Sequence, residues 1–221
     1  AIDEGHIKSV DQKVVDFFPE YSNGFNEKLT IKHLLTMSSG MNFSESYSNP
    51  FAFPAKAYFG DDLKGLMQKY KVIEKPGVEF EYLSGNTQLL GILLEEATGM
   101  PLSIYASIKL WNPIGAKSPA FWSLDNKDGM EKAYCCFNSN ARDFARIGKL
   151  YLNNGTWENR QIVSKTYALE SVKPADLIEK DTGNKLKKYG YSWWMTDYRG
   201  HHIFLAEEKM DKQVQYGGLK A

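Results

Sequence analysis

Apolar residues recur at helical spacing through the first two thirds of the chain and take on strand character only near its end. Thr30 precedes IKHLLTMSSG, where Ile31, Leu34 and Leu35 share one face and Gly40 supplies a stop. DDLKGLMQKY sets Leu63, Leu66, Met67 and Tyr70 at the same spacing behind two acids suited to the positive end of a helix. TQLLGILLEEATG predicts a longer helix with a broad apolar stripe of Leu89, Leu90, Leu93, Leu94 and Ala97, closed by Gly99 and Pro101. In ARDFARIGKLYLNNG, Asn140 stands three residues before Asp143, as in a capping box. Phe144, Ile147 and Leu150 then line one side, and Gly155 ends the run.

Between these helices lie loops rich in Gly, Pro, Asn and Ser, notably SESYSNPFAFP and NPIGAKSPAFWSLDNKDG. Long aromatic loops in a compact domain are more often functional than idle. YGYSWWMTDYRGHHIFLA reads as two strands around a turn at Arg199-Gly200. A helical middle followed by a β end predicts an α/β (α+β) fold.

Composition adds limits. Hydrophobic residues make up 43% of the 221, enough for a core, and aromatics 14%. Lys+Arg and Asp+Glu balance at 27 each, so no global field draws nucleic acid or anionic lipid. No apolar run nears the roughly 20 residues that span a bilayer. The opening AIDEGHIKSV carries acids where the basic start of a signal peptide would be. The cysteines, Cys135 and Cys136, are adjacent. An ordinary disulfide needs roughly 4.4–6.8 Å between Cα atoms, so free, buried thiols are expected.

The candidates for chemistry are few. His6, His33, His201 and His202 show no metal-ligand spacing, and no zinc site or other cofactor is expected. Asp61-Asp62, Glu95-Glu96 and Glu207-Glu208 read as helix-start or solvated charges. GxGxxG, GxxxxGK[ST] and GxSxG are all absent. That leaves EFEYLSGNTQLLG, Glu79 to Gly91. By periodicity alone Tyr82 is a core tyrosine ahead of a helix cap at Ser84 or Asn86. A catalytic tyrosine would need cations to lower its pKa from about 10, and none is visible beside it in sequence.

The order of several segments carries a resemblance. EGHIKSVDQKVVDFFPEY, LTIKHLLTMSSGM, PGVEFEYLSGNTQLLGILLEEATGMPL, ARDFARIGKLYLNNGTW and YGYSWWM together resemble the serine β-lactamase-like hydrolases. These include class C β-lactamases, DD-peptidases and related esterases and amidases, and the branch with 6-aminohexanoate-dimer hydrolases is the most similar. The resemblance runs over about residues 2–206. It implies a β-lactamase/transpeptidase-like fold, an antiparallel sheet flanked by helices plus a helical subdomain. One domain over 1–221 is expected, with 41–155 mainly helical and with 1–40 and 156–221 in an α/β part incomplete at both chain ends.

The implied chemistry is acyl transfer from a small-molecule or peptide-like amide or ester, without cofactor, in the periplasm or at the cell surface. Its motifs are S-x-x-K, Y-x-N or Y-x-S, and a glycine-containing strand. Tyr82-Leu83-Ser84 matches Y-x-S. The resemblance therefore makes Tyr82 a proton relay and Ser84 its polar partner, with Trp122, Trp193 and Trp194 as substrate-binding candidates. No serine has a lysine three residues on, and Glu207 to Lys212 stand where the third motif is expected, near 206–213. The expectation is a chain that begins downstream of its own nucleophile and has no activity by itself. The alternative is a non-catalytic ligand- or peptidoglycan-binding module with an aromatic cleft of Phe51, Phe53, Trp122, Trp193 and Trp194.

Overall fold

The computed structural model describes residues 1–206, so all but the first residue of the expected third motif lies outside the described residues. Along the chain run α1 (Ile31–Leu35), α2 (Phe53–Phe59), α3 (Leu63–Met67), β1 (Glu79–Phe80), α4 (Ser84–Thr98) and α5 (Leu102–Ala106). A π-helical turn, Ser107–Trp111, leads to β2 (Phe121–Trp122), β3 (Phe137–Asn138) and α6 (Ala141–Leu152). Then come β4 (Thr156–Trp157), β5 (Arg160–Gln161), α7 (Lys165–Ser171), β6 (Ile178–Glu179), β7 (Trp194–Tyr198) and β8 (His201–Leu205). This is a mixed α/β fold.

Two compact units form. The first comprises Ala1–Ser103, Trp122–Phe137 and Leu177–Lys185. Its core gathers Val14, Leu29, Leu34, Phe53, Leu63, Leu83 and Leu93, each at most 1% exposed. In α4 the apolar stripe is broader than its leucines. Leu89, Ile92 and Leu93 are buried, and so are Gly85, Asn86, Gln88 and Gly91, while Leu90 and Leu94 pack at the margin. Gly85 is required by packing, since a Cβ there would meet the Phe43 ring at 2.4 Å. Gly99 ends the helix at φ +67°, a left-handed cap that glycine adopts without steric cost.

Two helix boundaries differ from the sequence reading. The Thr30 helix is a single short element that stops at Leu35, before Gly40. A reciprocal cap closes its start: the His33 amide donates to Thr30 Oγ1 at 3.4 Å, and the Thr30 amide donates to His33 Nδ1 at 3.2 Å. The residue before α4 is Leu83, which makes no side-chain cap, and neither Ser84 nor Asn86 serves as one. The partner comes from a remote loop, described below.

The cysteine expectation is corrected. Cys135 and Cys136 are joined by a disulfide across a Cα–Cα distance of 3.8 Å, and no cysteine is free. The turn holds Cys136 at φ +66°, outside the extended geometry that points neighbouring side chains to opposite faces.

The second unit comprises Ile104–Phe121, Asn138–Asp176 and Leu186–Ala221. Asn140 caps α6 by accepting from the Asp143 amide at 3.0 Å. The β7–β8 hairpin is antiparallel from Trp194↔Leu205 to Tyr198↔His201. Arg199 and Gly200 both turn at positive φ, the geometry that matches the twist of a two-residue hairpin. No helix among the described residues is long and apolar enough to cross a membrane.

Candidate active site

The site lies where β1 leaves the core and α4 begins, within the first unit. Phe80 is buried, Glu81 and Tyr82 follow half-exposed, and Leu83 anchors in the core at 1% exposure. That anchoring fixes the first turn of α4, with its unpaired amides and partial positive charge.

Glu45 supplies what Leu83 cannot. Its Oε2 accepts the Ser84 amide at 2.8 Å, and its Oε1 accepts the Ser84 hydroxyl in a short hydrogen bond. The same Oε1 accepts the Tyr47 hydroxyl at 2.8 Å. One carboxylate thus satisfies a backbone amide and two hydroxyls, and an acid suits this end of a helix. Burial raises the Tyr47 pKa, as does the Glu45 carboxylate, while the Ser84 hydroxyl bond lowers it; the net shift is upward. Tyr47 is therefore a protonated donor, close enough to Tyr82 for the two hydroxyls to act on each other electrostatically.

The floor of the site is a strained turn. Met37 sits at φ +54° while 1% exposed, a costly conformation for a residue with a side chain. Its carbonyl accepts the Glu81 amide at 2.9 Å, and its sulfur accepts Asn86 Nδ2 at 3.4 Å. These contacts tie the approach to Tyr82 and the first turn of α4 to one buried loop. From Tyr47 an open groove of about 640 Å³ runs past Lys56, Phe59, Asp61, Asp62 and Lys69.

The arrangement can position and pass protons. It offers hydroxyls on Tyr47, Tyr82 and Ser84 and one acceptor carboxylate. Among the described residues, neither lysine nor histidine bonds Ser84, and its hydroxyl donates to Glu45. No cluster of three or more His, Cys, Asp or Glu suited to a metal occurs among the described residues.

Phe51, Phe53 and Trp122 belong to the first unit. Trp122 is half-buried, stacks on Phe137 at 4.6 Å and donates to the Cys135 carbonyl at 2.9 Å. Trp193 and Trp194 belong to the second unit. Trp193 packs on Tyr151 and Phe204 at 4.7 and 5.3 Å, and Trp194 stands edge-on to Tyr189 at 4.8 Å. Phe53 is core, whereas Phe51 is 77% exposed. Sequence reasoning does not single out Glu45 and Tyr47. Their signal is the long aromatic loop SESYSNPFAFP, which points to function as a whole without assigning it to a residue.

A family model described as Beta-lactamase matches residues 1–219. The chain belongs to the β-lactamase family. A 6-aminohexanoate-dimer hydrolase of Paenarthrobacter ureafaciens is 26% identical over 219 residues, which cover 88% of this chain and 53% of that protein. Among solved structures, a candidate 6-aminohexanoate-dimer hydrolase from Bacillus anthracis superposes with a TM-score of 0.76 at 22% identity. It covers 92% of this chain and 58% of its own. A D-stereospecific amidohydrolase from Streptomyces superposes at 0.62 with 19% identity, covering 91% and 68%. At these identities the structures speak for the fold. The chain spans about half the length of the first hydrolase, so this β-lactamase-family chain corresponds to part of such a protein.

Proposed function

We propose that this chain carries the proton-relay side of a serine hydrolase that cleaves a small amide or ester through an acyl-enzyme. The observation that supports this best is Tyr82, half-exposed and two residues ahead of Ser84, at a helix start held by the Glu45 carboxylate. Tyr82 hands a proton to the leaving group. Ser84 and Tyr47, both donating to Glu45, keep the tyrosine's surroundings polar and fixed. Family membership supports a hydrolase and a small-molecule substrate. The relay role, the acyl-enzyme and a periplasmic or cell-surface location are our reading.

No S-x-x-K occurs in the 221 residues, and among the described residues the Ser84 hydroxyl meets the Glu45 carboxylate and not a lysine or histidine. We therefore assign these residues no nucleophile and expect no turnover from them alone. The test is incubation with nitrocefin and with a short p-nitrophenyl ester. Release of product no faster than in buffer is expected. Turnover of either substrate above the buffer rate would overturn the assigned inactivity.

A further inference from the structure

The bonded pair Cys135–Cys136 lies outside the site just described, and both residues are half-buried in the turn from Lys132 to Phe137. Cys136 is held at φ +66°, where a side chain is sterically disfavoured. The carbonyls of the pair organise the facing strand: Trp122 Nε1 donates to Cys135 O at 2.9 Å, and the Ser123 amide donates to Cys136 O at 3.2 Å. The preceding residue, Tyr134, stands edge-on to Phe53 at 5.6 Å, and Phe53 packs on Phe43 at 5.0 Å. The Phe53 amide donates to Ser44 O at 3.0 Å, and Ser44 precedes Glu45. All of these residues belong to the first unit.

We propose that Cys135–Cys136 is a reversible thiol–disulfide site, open to dithiol reductants, whose state sets the hold of Glu45 on Ser84. In the exchange a thiolate of the dithiol attacks one sulfur of the pair. The Cys135–Cys136 bond breaks, a mixed disulfide forms, and the second thiol of the reductant closes on the first. Two electrons and two protons pass to the protein, leaving two cysteine thiols and an oxidised, cyclic reductant. Once released, Cys136 relaxes toward negative φ. The carbonyls then swing away from Trp122 and Ser123, Tyr134 shifts on Phe53, and the Phe43–Glu45 segment loosens. Packed side chains transmit such a change because a dense core has discrete arrangements.

The experiment compares the protein purified without reductant and after treatment with dithiothreitol. Thiols are counted by iodoacetamide adducts, and backbone protection by hydrogen–deuterium exchange. No adduct before treatment and both cysteines modified after it are expected, with loss of protection in 120–137 and again at 41–53 and 83–86. The Cys135→Ser/Cys136→Ser variant should show the reduced pattern whether or not reductant is present. The wild-type comparison stands on its own if that variant does not fold. Two reactive thiols in untreated protein, or equal protection at Ser84 in the two states, would overturn the proposal.

Discussion

Glu45 accepts both the amide and the hydroxyl hydrogen of Ser84, across 39 residues of sequence. This contact replaces the local cap that the first turn of α4 lacks, and it carries a consequence for stability. Glu45→Ala leaves the amide and hydroxyl of buried Ser84 without their acceptor. The expected loss is about 1–3 kcal/mol, in the range of a helix cap or a hydrogen bond to a charged group. Glu45→Gln keeps one acceptor oxygen and should lose less. Urea unfolding of the three proteins checks the order.

His33 is set up as a pH-sensitive cap. Burial lowers its pKa, neighbouring Lys32 lowers it further, and Asp11 opposes them. Its Nδ1 must be unprotonated to accept the Thr30 amide. Because the folded pKa lies below the unfolded value, this stability is fully present above about pH 6.5 and is lost as pH falls through the folded pKa. His33→Gln should flatten stability against pH between about 7 and 5, measured by thermal melts.

Asp143 locks the loop before α6 in the second unit. It accepts the Lys117 and Ser118 amides at 3.0 and 2.9 Å, Asn140 Nδ2 at 2.7 Å and Arg146 Nε at 3.0 Å. Led by the Lys117 amide, these bonds pull its pKa down to about 2. A depressed folded pKa means the contribution is whole above about pH 4 and is lost as pH falls toward 2. Asp143→Asn should destabilise the protein at neutral pH and weaken this acid-induced loss, as followed by circular dichroism.

Glu95 and Glu131 meet where they receive the Leu102 and Ser103 amides at 3.0 and 2.9 Å. Burial raises the pKa of Glu95 first, and the hydrogen bond and charge of Glu131 raise it further. The pair holds a shared proton most readily at low pH. The stability tied to Glu95 is present below its unfolded pKa and is lost as pH rises through its raised folded pKa. Glu95→Gln keeps the acceptor for Leu102 and offers Glu131 an N–H. It should remove that loss and leave the protein equally or more stable at pH 7, measured by urea midpoints.

The sequence made the helices legible where a hydrophobic stripe met a cap, as at Asn140 and Gly99. It also made the β7–β8 hairpin legible, because Arg199-Gly200 sits between aromatic and β-branched runs. Tyr82 is a candidate through its Y-x-S motif. The remainder depends on contacts distant in sequence. Glu45 caps a helix that begins 39 residues later, which no local pattern encodes. The vicinal disulfide depends on one positive φ at Cys136, which distance arguments for ordinary pairs do not anticipate. Phe53, grouped by composition with a cleft, is core because α2 turns it inward.

The central claim is that Tyr82 relays a proton to a leaving group. Amide cleavage expels an amine that must be protonated, whereas p-nitrophenolate departs without a proton. The direct measurement is kcat for a matched amide and p-nitrophenyl ester, in the wild type and in Tyr82→Phe, using the longest form of the protein its gene encodes. The account predicts that Tyr82→Phe lowers amide turnover by roughly 10²–10⁴ while ester turnover falls less than about tenfold. Equal losses on the two substrates, or no loss on the amide, would contradict it.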